Sequence, residues 1–377
     1  MTLLLVIGAF QAVLLVVLLL TKREKTISDF ILSGYLFLSA LIILLAYLEI
    51  WNRNNNFPYP WLINLSTPLI LVIGPNLWLY VKSVTKQHFR FKAIYLLTLI
   101  PFLFVLSILL TRNILVPELA KIAADQTESF KDDFSFLLIV GLIATSNIGY
   151  TVWGLFLIRR YQNAIKTYFS STGKINLNWL RFLHISALIA YASISGLYIV
   201  DAIFGLVSYN HLQIAGFGIA ALLVLVIGFF GIKEGNVFTT SSIGFDMEKA
   251  LEDEEPRSVL NNEEEVFIHR LLDYMKTEKP YLNPDINLAL LSAKMKVNPE
   301  YLSGVINGRL NKNFFDFINH YRVNEFKRLC KDPKNKNITL ISLAYDCGFS
   351  SKATFNRVFK KEVGCTPSEY FRKSCGS

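Results

Sequence analysis

Lys352, Asn356, Arg357, Lys360 and Lys361 lie within "SSKATFNRVFKKEVG" at spacings that place them on one face of a helix. Phe355, Val358 and Phe359 fall on the other face and give that helix a reason to pack. Ser350 or Ser351 can cap its start. Four cations and an amide on one solvated face are hydrogen-bond donors suited to phosphate oxygens. From Lys294 to the end, basic residues outnumber acidic ones sixteen to seven, so the surroundings reinforce that face.

Other elements must hold this helix in place. "ITLISLAYDCGF" supplies Ile341, Leu343 and Ala344 for a preceding helix, with Gly348 where the turn needs a left-handed residue. About 50 residues upstream, "NPDINLALLSAKMKVNPEYLSGVING" reads as a similar helix, break and helix, an internal duplication. Asn283 and Pro284 precede its first helix, and the small Ala293 is expected to let the helices cross closely. Asn298 can cap the second helix, with Pro299 at its first position. Between the units, "FFDFINHYRVNEFKRL" forms an amphipathic helix with Phe314, Phe317, Ile318, Tyr321, Phe326 and Leu329 near one stripe. Upstream of both, "EEEVFIHRLLDYM" spaces Val266, Phe267, Leu271, Leu272 and Met275 helically.

The rest of the chain has a different character. Hydrophobic residues make up 53% of the 377 and charged residues only 18%, too apolar a balance for an average soluble protein. Seven apolar runs reach the roughly 20 residues a membrane helix needs. They lie near 3–20, 30–50, 61–81, 93–111, 134–158, 182–207 and 211–232. The first is not preceded by a basic residue and is followed by Lys22, Arg23 and Lys25, so it reads as a retained span. Odd-numbered connections carry twelve Lys and Arg, even-numbered ones four. That bias puts the N-terminus outside and everything after Gly231 in the cytoplasm. Trp51, Trp61, Trp78 and Trp153 stand near span ends, where interfacial anchors belong. Asp201, in the outer third of the sixth span, is the intramembrane ionisable residue with the best claim to a sensing role. Glu49 and His184 lie nearer the interfaces.

Residues 233–262 are acidic and punctuated by Gly, Ser and Pro, which suits a cytoplasmic linker. The expected organisation is a seven-helix membrane domain over 1–232, this linker, and a helical domain over 263–377. All four cysteines, Cys330, Cys347, Cys365 and Cys375, fall in the last fifth without a C-x-x-C pair, which favours free thiols in a reducing compartment.

Residues 265–373 resemble the AraC/XylS family of bacterial transcription regulators. Leu343-Ala344, Gly348-Phe349, Phe355, Arg357, Phe359-Lys360, Gly364 and Thr366-Pro367 carry the resemblance at the family's spacing. "EKPYLNPDINLALLSAKMKVNPEYLSGVING" also resembles the subset of that family fused to multi-span membrane domains in Bacteroidetes-type bacteria. The resemblance implies an all-α architecture of two helix-turn-helix units joined by a helix. It implies double-stranded DNA as partner, with the second helix of each unit in a major groove and the two about one helical turn (~34 Å) apart. Carried over by position, Lys352, Ala353, Thr354 and Arg357 would face DNA, with Asn356, Lys360 and Lys361 beside them. Lys352 or Arg357 would reach guanine O6 and N7, and the other cations phosphates. The matching face of the first unit is Glu300, Tyr301, Ser303, Gly304 and Asn307. Here Ile306-Asn307 replaces the family's usual Phe-Lys, so base reading is expected mainly from the second unit.

The resulting expectation is a bacterial inner-membrane transcription regulator that couples an envelope condition or an unidentified ligand to promoter binding. RNA polymerase and a second copy of the chain are candidate partners beside the lipid bilayer. No cofactor or metal pattern stands out, and no H-E-x-x-H, G-x-S-x-G or phosphate loop marks an enzyme. The competing class is a membrane transporter or signalling protein whose helical tail docks a protein partner.

Overall fold

The computed structural model describes residues 2–86, 89–173, 175–234 and 262–374. The described residues form fifteen α-helices and no named strand. They divide into two compact units: residues 1–159 with 178–244, and residues 160–177 with 245–377.

The first unit holds α1 (Thr2–Thr21), α2 (Ile27–Asn54), α3 (Thr67–Val84), α4 (Ile100–Leu115), α5 (Glu118–Thr127), α7 (Asn178–Phe204) and α8 (Tyr209–Glu234). It also holds residues 134–159 of α6 (Phe134–Tyr168). Seven helical segments are long and apolar enough to cross a membrane, and all seven expected spans coincide with them. α5 is an addition that the acidic fourth connection did not announce. Exposed apolar residues such as Leu3, Phe10, Phe37, Leu103 and Phe156 stud the helix surfaces. Such faces are suited to an apolar surrounding more than to water. Trp51, Trp61 and Trp153 are about half exposed, whereas Trp78 is buried. Trp78 packs at 4.7 Å from Trp153 and 5.6 Å from Tyr150, so it serves the interior and not an interfacial belt.

The second unit holds α9 (Asn262–Thr277), α10 (Leu288–Met295), α11 (Pro299–Gly308), α12 (Phe314–Cys330), α13 (Leu340–Asp346), α14 (Lys352–Val363) and α15 (Pro367–Ser374). Two apolar clusters build it. α9, α10, α11 and the start of α12 share Phe267, Leu271, Leu291, Leu302 and Ile318. The remainder of α12 packs Val323 and Phe326 against Leu343, Phe349, Phe355 and Phe359 of the second pair. α12 therefore belongs to both cores, as a joining helix must.

The expected periodicities hold, with local departures. The α10 cap is Asn287, whose side chain accepts from Leu290 N, a few residues beyond Asn283. Ala293 is exposed, and Ser292 is the small residue buried on that helix. Val266 likewise stands in the open at the start of α9. The expected boundary at 232 places 160–177 with the spans, whereas these residues cluster with the second unit. Most of the acidic linker expected at 233–262 lies outside the described residues, as does Cys375.

Candidate nucleic-acid interface

α14 forms where the sequence supplies both ends of a helix. Ser351, extended at φ −158° and ψ 147°, accepts from Thr354 N at 3.2 Å. Gly364 closes the helix in the left-handed region at φ 81°. The buried face is aromatic: Phe355 lies 4.7 Å from Phe326 and 5.1 Å from Phe349, and Phe359 lies 5.4 Å from Phe326. Each fully buried aromatic of this kind contributes about 3–5 kcal/mol against truncation to alanine.

The turn before α14 needs its glycine twice over. Gly348 has φ 88°, and a Cβ there would stand 2.4 Å from the Tyr281 carbonyl oxygen and 2.8 Å from that of Leu282. Any side chain would displace that backbone and tilt α13 against α14.

On the outer face, Lys352, Ala353, Asn356, Arg357, Lys360 and Lys361 are exposed. Two of them have prior engagements. The Arg357 guanidinium lies 5.6 Å from the centre of the Phe315 ring, a cation–π contact with α12. The Lys361 ammonium donates to both carboxylate oxygens of Asp316, at 2.9 and 3.0 Å. Thr354 departs from expectation: it is only 6% exposed, and its hydroxyl accepts from Ser351 Oγ at 3.0 Å. Its position on the helix matches a groove-facing residue, but the side chain turns inward onto the cap.

In the first unit, Asn298 caps α11 as expected, with Pro299 at the first position. Glu300 and Gly304 are exposed, while Tyr301 lies 5.0 Å from Phe267 and belongs partly to the core. Asn307 Nδ2 donates to Ser303 Oγ at 3.3 Å, so these two polar groups bond each other along the helix. The face of α11 therefore offers a carboxylate, a glycine and a self-satisfied pair, against four cations on α14.

The least expected side chain is Arg322. It lies on the buried stripe of α12 with no exposure at all. Its guanidinium donates to the Tyr281 carbonyl at 2.8 Å and the Asn283 carbonyl at 2.9 Å. Further bonds reach Asn319 Oδ1 at 3.4 Å and the Ser170 hydroxyl at 3.3 Å. Burial pulls its pKa down to about 10, which still leaves it charged near neutrality. The signal was available: an arginine four residues after Ile318 sits on the apolar side of that helix. Nearby, the bond from Arg328, assisted by Lys279, holds the Glu325 carboxyl below its ordinary range. Burial pushes the Cys347 thiol up to about 12, the behaviour of a packed thiol and not a reactive one.

Asp201, the sensing candidate, is 3% exposed and ion-paired to Lys131 at 2.6 Å, while its other oxygen accepts from Val207 N. A second buried group lies close in sequence to span ends. Arg53 forks onto Asp125 at 2.6 and 2.9 Å, and Glu49 accepts from Gln213 at 2.6 Å and Ser66 N at 2.8 Å. His184 is fully buried, its Nδ1 2.9 Å from the Leu180 carbonyl, in space left by Gly154. Asp201, Arg53 and Glu49 find their partners on other segments of the unit, whereas His184 bonds only along its own helix and its buried Nε2 has no hydrogen-bond partner among the described residues. The same unit encloses a cavity of about 190 Å³. Ile73, Ile143 and Phe217 line it, together with Asn64, Tyr198 and Tyr209. Asp201 is not among the lining residues.

Residues 291–373 match a family model described as a helix-turn-helix domain. The matched span runs from within α10 to within α15 and contains both helix pairs and α12. The chain thus carries a DNA-binding helix-turn-helix domain of the kind found in transcription regulators. No curated protein and no solved structure matches the chain.

Proposed function

We propose that the chain is a membrane-anchored, sequence-specific transcription regulator, in which a seven-span domain tethers an AraC-type domain to the bacterial inner membrane. The observation that carries this reading is α14: an exposed cationic face fixed by a buried back of Phe355, Val358 and Phe359, inside a matched helix-turn-helix domain. α14 would enter a major groove, with Lys352 and Arg357 reaching base edges and Lys360 serving phosphates. Lys361 would contact DNA only by leaving Asp316. α11 would dock against the backbone in the adjacent groove through its polar positions, Glu300 being the least suited of them to phosphate.

Tethering follows from the seven apolar helices and orientation from the loop charges. Membrane-impermeant maleimide on intact cells tests the orientation. A cysteine at Asn55 is expected to label and one at Lys25 is not. The reverse pattern would put the DNA-binding domain on the wrong side of the membrane.

For signal input, the cavity of the first unit has more to offer than Asp201, whose charge is already paired. Its largely apolar walls, with amide and phenol groups and Arg112 among them, suit a mostly apolar small molecule that carries a polar group. Filling it with Ala220→Trp is expected to leave duplex affinity within about two-fold of wild type. Reporter output should then stay constant across growth conditions that change wild-type output. Unaltered responsiveness would remove the cavity from the signalling path.

A further inference from the structure

The connection between α6 and α7 is more than a basic loop between two spans. Its residues 160–177 cluster with the DNA-binding domain, and 169–171 bond to the start of α10, to α12 and to the turn before α14. Phe169 makes an antiparallel bridge with Asn287, the cap of α10 in the first helix-turn-helix unit. Ser170 is 1% exposed, and its hydroxyl donates to the Ile286 carbonyl at 2.6 Å while accepting from Arg322. The Ser170 carbonyl accepts from Asn319 Nδ2 at 3.0 Å and from Arg322 at 3.4 Å, both on the joining helix. Ser171 Oγ lies 2.6 Å from Ser350 Oγ, in the turn of the second unit. A Cβ on Gly173 would stand 3.8 Å from Thr354 Oγ1, on the first turn of α14.

The bonds among Ser170, Ile286, Asn319 and Arg322 form a buried polar cluster, and the Ser171–Ser350 bond extends it at the surface. Arg322 is a buried charge whose partners are carbonyls, an amide oxygen and a hydroxyl, and Ser170 supplies two of them. Unseating the segment would strip those partners from a guanidinium that water does not reach. A segment so bonded to α10, α12 and the α14 turn restrains the first unit relative to the second. That relation sets the distance between the two helices that reach DNA.

We propose that the α6–α7 connection is a built-in clamp of the DNA-binding domain, with Ser170 and Arg322 as positioning residues that determine which half-site spacing the domain accepts. Both ends of the clamp continue into membrane-spanning helices, so a change in α6 or α7 is delivered directly to this seam. The inference rests on the DNA-binding reading above and brings Ser170, outside the matched span, to bear on Arg322 within it.

The test uses the full chain in nanodiscs of phosphatidylethanolamine and phosphatidylglycerol. A duplex selected from a random pool by the wild-type protein is rebuilt with one to four base pairs added or removed between its half-sites. Wild type is expected to lose about ten-fold or more in affinity on the altered spacings, because displaced half-sites rotate off one face of the duplex. Ser170→Trp, which cannot seat, is expected to bind all spacings within about three-fold of one another, since an unclamped domain no longer discriminates. A Ser170→Trp chain with the wild-type spacing profile would overturn the clamp.

Should Ser170→Trp fail to fold, Ser171→Cys with Ser350→Cys decides the matter by locking the segment in place. The oxidised chain is expected to keep wild-type affinity and spacing preference. Loss of binding on oxidation, regained on reduction, would overturn the clamp by showing that the seated segment excludes DNA. Absence of binding by wild type to any duplex would instead refute the DNA-binding reading itself.

Discussion

Replacing Lys352 and Arg357 together with alanine is expected to lower affinity for the selected duplex by about 30-fold or more. Each base-edge contact of this kind is worth about 1–3 kcal/mol of discrimination, and both sit on the exposed face of α14. Part of the Arg357 effect passes through Phe315, because the guanidinium also makes a cation–π contact with that ring. Lys361→Ala provides the contrast. Its ammonium already bonds Asp316, so its removal is expected to cost about three-fold or less. Fluorescence anisotropy on the full chain in nanodiscs reads all three. Equal binding by the double variant and wild type would remove base reading from α14.

Phe359→Ala is expected to have the largest effect on stability. The ring is fully buried, packed on Phe326, Phe355 and Tyr370 at 5.4 to 5.7 Å, at the centre of the second core. Truncation to alanine typically costs about 3–5 kcal/mol at such a site, a large share of what a domain this small can hold. Hydrogen exchange should show α13, α14 and α15 losing protection while peptides from α2 and α3 keep theirs. Protein in the membrane fraction should persist with DNA binding lost. Undiminished protection of α14 would mean that the aromatic cluster does not hold it.

The fold was largely legible because its elements obey strong local rules. Seven apolar runs can do little else than span or bury, and the N-cap residues Asn298 and Ser351 mark their helices without tertiary help. Gly348 was legible for the same reason, since a left-handed turn between two helices asks for it. The outward face of α14 followed from periodicity. What periodicity does not show is how an outward residue is spent: Arg357 on a ring, Lys361 on a carboxylate, Thr354 on its own cap. Asp201 was conspicuous as an acid in an apolar run, but its partner Lys131 lies some seventy residues away in sequence. The α6–α7 clamp was not legible at all. Ser170 and Ser171 are ordinary loop residues whose bonds to Arg322 and Ser350 cross more than 150 residues of chain. Arg322 itself gave a hint, as a charge on an apolar stripe, without naming the segment it would hold.

The proposed regulator must bind double-stranded DNA through its C-terminal domain while its apolar helices sit in a bilayer. The most direct test is the salt dependence of binding by the full chain in nanodiscs, comparing the selected duplex with a scrambled one of equal length. With Lys352, Arg357 and Lys360 on α14 and further cations around them, log K should fall steeply with log[salt], with a slope of about −3 or steeper. The selected duplex should bind at least about a thousand-fold more tightly than the scrambled one at physiological salt. Weak, salt-insensitive association equal for both duplexes would contradict the account and favour a tail that docks protein.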